Sequence, residues 1–154
     1  MRIPLVLSVA VALAVAVPTA NAVIVVQRSI AGVKLGMTKA QVRATLGRPM
    51  RVRSGTNDFG AFRELFYRRV TVTFQGGLHV TSVRTTSSLE RTAAGVGVGS
   101  TKAEVKAHVK NVHCRNESGF RHCFVGAFLP GRTVTDFRLR NGRVSSVSVG
   151  VVID

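Results

Sequence analysis

The run HCRNESGFRHC, residues 113–123, holds both cysteines and two of the four histidines of the chain. Imidazole nitrogens and thiolates are donors that zinc accepts, so His113, Cys114, His122 and Cys123 form one conceivable ligand set. The spacing argues against it. Adjacent His and Cys side chains point apart on extended backbone, and structural zinc sites use short Cys-x2-4-Cys spacings or similar. In an exported protein, one cysteine pair spanning a short loop is most simply a disulfide. The expectation is a Cys114–Cys123 bridge and no metal.

Other chemistry finds little footing. GVGVGST, residues 95–101, lacks the Lys-Ser/Thr ending of a phosphate-cradling loop and follows no strand of a βαβ unit. The chain contains no HExxH and no G-x-S-x-G, the signatures of two large hydrolase groups. Its seven acidic residues are scattered, and Asp58, Glu64 and Asp136 read as ion-pair partners of arginine. The expectation is a protein that is not an enzyme and takes no cofactor.

The arginines are the remaining candidates. Lys and Arg number 22 against 7 acids, a net charge of +15. Arg63, Arg68 and Arg69 surround the only tyrosine, Tyr67. Phe137 and Leu139 alternate with Arg138 and Arg140, so an inward Phe and Leu turn both arginines outward. Arg84 and Arg143 lie on or beside the last predicted strands. An arginine-rich sheet face with one aromatic suits carboxylate or phosphate groups, which guanidinium holds bidentately. The expected partner-binding set is Tyr67, Arg63, Arg84, Arg138 and Arg140. Nucleic acid is disfavoured by export, by the lack of a recognition-helix motif and by few stacking aromatics.

The elements that carry these residues begin with a repeat. AGVKLGMTKAQVRATL (31–46) returns as AGVGVGSTKAEVKAHV (94–109), with nine of sixteen positions identical. Thr38-Lys39-Ala40-Gln41 and Thr101-Lys102-Ala103-Glu104 both fit the capping box. Val42 and Leu46, like Val105 and Val109, stand four apart and share a helix face. Gly47 and Pro49 close the first helix. Strand patterns follow each helix: FRELFYRR, VTVTFQ and LHVTSVRTT, then FRHCFVGA, TVTDFRLR and RVSSVSVGVVI. Gly76-Gly77 and Asn141-Gly142 are hairpin signals. In both last strands two valines stand three apart, Val80 with Val83 and Val144 with Val147, a spacing that fits a shared β-bulge or else a strand buried on both faces. The expected fold is α+β: two tandem repeats of a short helix followed by an antiparallel meander, with the helices packed on one sheet face.

The N-terminus has its own grammar. Arg2, the apolar run Ile3–Val17, Pro18 and the A-x-A site Ala20-Asn21-Ala22 read as an export signal. The run is too short to span a bilayer, so no permanent membrane span is expected. The expected organisation is a signal peptide at 1–22 and repeats at 23–90 and 91–154.

LGMTKAQVRATLGRP resembles the signature of the SmpA/OmlA (BamE-like) lipoprotein domains. The tandem arrangement resembles the β-lactamase inhibitor protein family, whose members duplicate that unit and join a Cys after the helix to one on the following strand, the places of Cys114 and Cys123. This resemblance implies an extended antiparallel sheet with helices behind and an open face that grips a protein. The resulting expectation is an exported, secreted or envelope-associated binding module that contacts an extracellular or envelope protein and inhibits it in one version of the reading. The alternative is a cationic envelope protein that binds an anionic cell-surface polymer.

Overall fold

The computed structural model describes residues 23–117 and 119–153; the expected signal peptide at 1–22 lies outside the described residues. The chain opens with three two-residue strands, β1 (Ile24–Val25), β2 (Ser29–Ile30) and β3 (Val33–Lys34), paired as a small antiparallel ribbon. Helix α1 (Lys39–Leu46) leads into β4 (Arg51–Asn57), β5 (Gly60–Phe66), β6 (Val70–Gln75) and β7 (Ser82–Thr85). Helix α2 (Lys102–His108) leads into β8 (His113–Glu117), β9 (Phe120–Gly126), β10 (Thr133–Arg140) and β11 (Arg143–Val151). Strands β4 to β11 form one eight-stranded antiparallel sheet in the order β4-β5-β6-β7-β11-β10-β9-β8.

Both capping boxes form. Gln41 N donates to Thr38 Oγ1 at 3.3 Å while Thr38 N donates to Gln41 Oε1 at 2.8 Å. Glu104 N donates to Thr101 Oγ1 at 3.2 Å and Thr101 N to Glu104 Oε2 at 2.6 Å. Each box satisfies two backbone donors that the first helical turn leaves without partners.

The expected α+β architecture is nevertheless corrected. Among the described residues the protein is mainly antiparallel β, with eleven strands in two sheets against two helices of eight and seven residues. Each helix has a single buried residue, Val42 in α1 and Val105 in α2. The physical reason lies in KAQVRATL and KAEVKAH, which have too few apolar side chains to make a layer of their own. Much of the sheet's inner cover comes instead from the ribbon, whose Ile24, Ile30 and Val33 join Leu65, Val72, Val83, Phe137 and Val147 in one buried cluster. Gln27, at the ribbon's turn, ties it down: its N–H donates 2.7 Å to the hydroxyl of fully buried Thr135, and its amide donates to Val125 O.

Turn chemistry accounts for one hairpin and misses another. Asn141 and Gly142, at φ 51° and 76°, make the two-residue turn between β10 and β11, the left-handed pair that a tight hairpin requires. Gly76-Gly77 instead open a longer connection, because β7 begins only at Ser82. The register of β10 on β11 slips between Arg138 and Leu139, leaving Ser145 as the extra residue. That bulge lets Val144 and Val147, three apart, both be buried.

Candidate functional site: the open face of the sheet

Pairing register fixes which residues share a face, because residues directly opposite each other on neighbouring strands point the same way. One row of opposed residues crosses all eight strands: Arg51, Phe66, Thr71, Arg84, Ser148, Asp136, Phe124 and His113. A neighbouring row on the same face runs Ser146, Arg138, His122 and Arg115. The opposite face carries Leu65, Val72, Val83 and Val149 into the core. The helices and ribbon lie on that inner side, since Val42, Val105 and Ile30 join its cluster.

The outer face pairs arginine with phenylalanine in both halves of the sheet. Arg51 lies 4.1 Å over the Phe66 ring and Arg53 5.4 Å over Phe62. Arg115 lies 5.2 Å over Phe124 and Arg138 3.9 Å over Phe120. Phe128, from the β9–β10 connection, meets Phe124 edge-on at 4.8 Å and His122 at 5.5 Å. Phe124 is thereby buried, while Phe120 and Phe128 remain 52% and 46% exposed.

A polar pair sits inside this cluster. His122 Nδ1 and Asp136 Oδ1 are 2.8 Å apart. His122 is 9% exposed, and its Nε2 has no hydrogen-bond partner; Glu117 Oε2 stands 3.7 Å away. Burial pushes the Asp136 carboxyl above its ordinary range, against the opposing pull of His122 and Arg138. Asp136 thus holds the imidazole through one ring nitrogen.

The structure divides the expected partner-binding residues. Arg84, Arg138 and Arg140 converge on one groove of about 480 Å³, together with Phe120, Arg121 and Ser145. Arg84 also shares a shallow depression of about 200 Å³ with Tyr67, Arg68 and Arg69. Tyr67 itself packs against the core, and its hydroxyl reaches Gly47 O, at the end of α1, at 3.4 Å. Burial raises the Tyr67 phenol's pKa, opposed by Arg43. Arg63 stands opposite core residue Phe74, on the inner side, and donates to Ser54 Oγ at 3.3 Å. The cysteines stand directly opposite each other in β8 and β9 and are joined by a disulfide, which closes that hairpin and leaves no thiolate for a metal.

Sequence reasoning missed the phenylalanines. It expected a face with one aromatic, yet Phe62, Phe66, Phe120, Phe124 and Phe128 belong to the outer side. The signal was present as Phe62-x-Glu64-x-Phe66 and Phe120-x-His122-x-Phe124, period-two patterns that set each pair of phenylalanines on one face.

Comparison with known proteins adds two likenesses. The family model described as "Outer membrane protein assembly factor BamE domain" matches residues 22–60, a stretch that holds the ribbon, α1 and β4. A solved structure of a DUF4309 family protein (YjgB) from Bacillus subtilis is similar in fold, with a TM-score of 0.50 and 15% identity over 86% of this chain and 90% of that one. No curated protein matches. The expected resemblance to BamE-like domains is thus met over residues 22–60, whereas neither likeness supports the tandem inhibitor family. No helix among the described residues is long and apolar enough to cross a membrane.

Proposed function

We propose that this protein is an exported, non-enzymatic binding module that holds a protein partner of the cell envelope on the outer face of its sheet, with residues 1–22 directing export. One observation carries the reading: phenylalanines with arginines stacked on them are gathered on the sheet face opposite the helices and ribbon. Aromatic side chains and arginine dominate the energetic centres of protein interfaces, and clustered exposed apolar surface marks interaction sites. The similarity of residues 22–60 to an outer membrane assembly factor domain supports an envelope partner. Within this reading Arg84, Arg138 and Arg140 contact the partner, whereas Tyr67 and Arg63 serve the scaffold.

The test is photo-crosslinking in the producing cell, with the reactive group placed at Phe120, at Phe128, or at Ala107 on the exposed side of α2. Adducts to one envelope protein from the first two positions and none from Ala107 are expected; equal yields from all three would overturn the reading. Binding to an anionic polymer is the second reading, favoured by the arginines around the groove. It predicts polysaccharide or polyphosphate adducts and near-complete loss of binding at 0.5 M salt, where the Debye length falls to about 4 Å.

A further inference from the structure

We infer that the groove between Arg84, Arg121, Arg138 and Arg140 receives an acidic peptide segment of the partner, with carboxylates on the guanidinium groups and an apolar side chain against Phe120. This inference rests on the outer face being a protein-binding surface and names what that surface recognises.

Several arginines elsewhere in the molecule are already occupied. Arg53 pairs with Glu64 at 2.7 Å, Arg69 with Glu90 at 3.2 Å and Arg115 with Glu117 at 3.1 Å. Arg91 donates to Gly95 O and Val98 O, and Arg143 to Gly99 O. Among the described residues, no such partner is found for the side chains of Arg84, Arg121, Arg138 or Arg140, yet these four line one concavity. At about 480 Å³ it falls within the size range of ligand-binding clefts. The bulge at Ser145 shapes it, with Ser145 Oγ donating to Arg138 O at 3.1 Å. Stacking on Phe120 holds Arg138 by the face of its guanidinium plane, which leaves the N–H edge free for a carboxylate.

Arg84, Arg138 and Arg140 bring like charges to one groove on the outer face, and an acidic segment relieves their repulsion on docking. The guanidinium fork fits carboxylate and phosphate alike. Phe120 separates the two, because its half-exposed ring offers apolar surface that a peptide side chain covers and a polyphosphate chain cannot.

The experiment measures fluorescence anisotropy of a labelled Gly-Glu-Glu-Phe-Glu-Glu-Gly peptide with the purified full chain, beside its Gln-for-Glu counterpart and a polyphosphate of equal charge. The acidic peptide is expected to bind, and its Gln counterpart at least about tenfold more weakly, the loss typical of charge-assisted hydrogen bonds. Arg84→Gln, Arg140→Gln and Phe120→Ala should each weaken it about tenfold, whereas Lys106→Gln, on the helix-bearing side, should change it less than about twofold. Equal binding of the Gln peptide, equal losses from Lys106→Gln and Arg84→Gln, or polyphosphate binding more tightly with Phe120→Ala silent would each overturn the inference. Photo-crosslinks from Phe120 and Phe128 that persist after such a result would show that the outer face binds protein by other contacts.

Discussion

Glu90 places a carboxylate in the interior of the molecule. Its side chain is fully buried, and both carboxylate oxygens lack a hydrogen bond. Its charged neighbour is Arg69, with Nη1 3.2 Å from Oε1 and a side chain that is 52% exposed. Removing one member of such a pair is far worse than removing both, because it strands an uncompensated charge in low dielectric. Arg69→Ala should therefore cost about 3 kcal/mol, and adding Glu90→Gln should recover most of that loss. Urea titrations of the single and double mutants check this, and additive losses would refute the pairing. Nothing in SSLERTAA distinguishes Glu90 from a solvated linker acid, because burial of a loop carboxylate is decided by what the rest of the chain places around it. Arg138 and Arg140 were legible, since strict alternation with Phe137 and Leu139 fixes their side. Arg63 was not: it belongs to the inner-facing series of Leu65, and only the pairing of Arg63 with Phe74 reveals that.

The two helix caps are alike in geometry but differ in chemistry. Hydrogen bonds from the Thr101 backbone and then from its side chain hold the Glu104 carboxyl below its ordinary range, while Gln41 in the matching box does not titrate. A carboxyl with a depressed folded pKa contributes stability that is present above its unfolded pKa and is lost as pH falls through the folded one. Acid should thus loosen α2 before α1, and Glu104→Gln should abolish the difference, as amide exchange in the two first helical turns would read out. Thr38→Ala and Thr101→Ala should each cost about 0.5–2 kcal/mol. The Cys114–Cys123 bridge closes a hairpin at the sheet edge, where β8 has only one neighbour. Replacing both cysteines by Ala should cost about 2–3 kcal/mol and release exchange protection in β8 more than in β10. Caps and alternating strands were readable because each is a local pattern: VTVTFQ and TVTDFRLR match β6 and β10 residue for residue. The edge strands were not. Every residue of β4 is exposed, so RVRSGTN carries no alternation to read, and β8 hid inside the cysteine motif.

At the scale of the whole molecule, the central question is whether residues 23–90 and 91–154 unfold separately. The sheet joins them through β7 and β11, paired over four residues from Val147 opposite Thr85 to Gly150 opposite Ser82. Beneath that seam runs one apolar cluster that takes Val42, Leu65 and Val72 from the first half and Val105, Phe137 and Val147 from the second. The ribbon crosses the seam as well: Ile24 N donates to Arg91 O, while Gln27 N donates to the Thr135 hydroxyl. The repeated sixteen-residue segment marks two like halves, but periodicity in a sequence is silent about how far a core continues across a boundary. Units that bury their apolar surface against each other open together, since exposing one half strips the other of its packing. Equilibrium unfolding should therefore be a single transition. The composition supplies the probe: with one tyrosine and no tryptophan, intrinsic emission reports Tyr67 in the first half alone, and amide exchange of β10 reports the second. The two midpoints in urea should coincide, and Val147→Ala, at the seam, should lower both together by the roughly 2 kcal/mol that a buried truncation of this size costs. A midpoint for Tyr67 separate from that of β10, or a Val147→Ala effect confined to one of them, would establish two independent units.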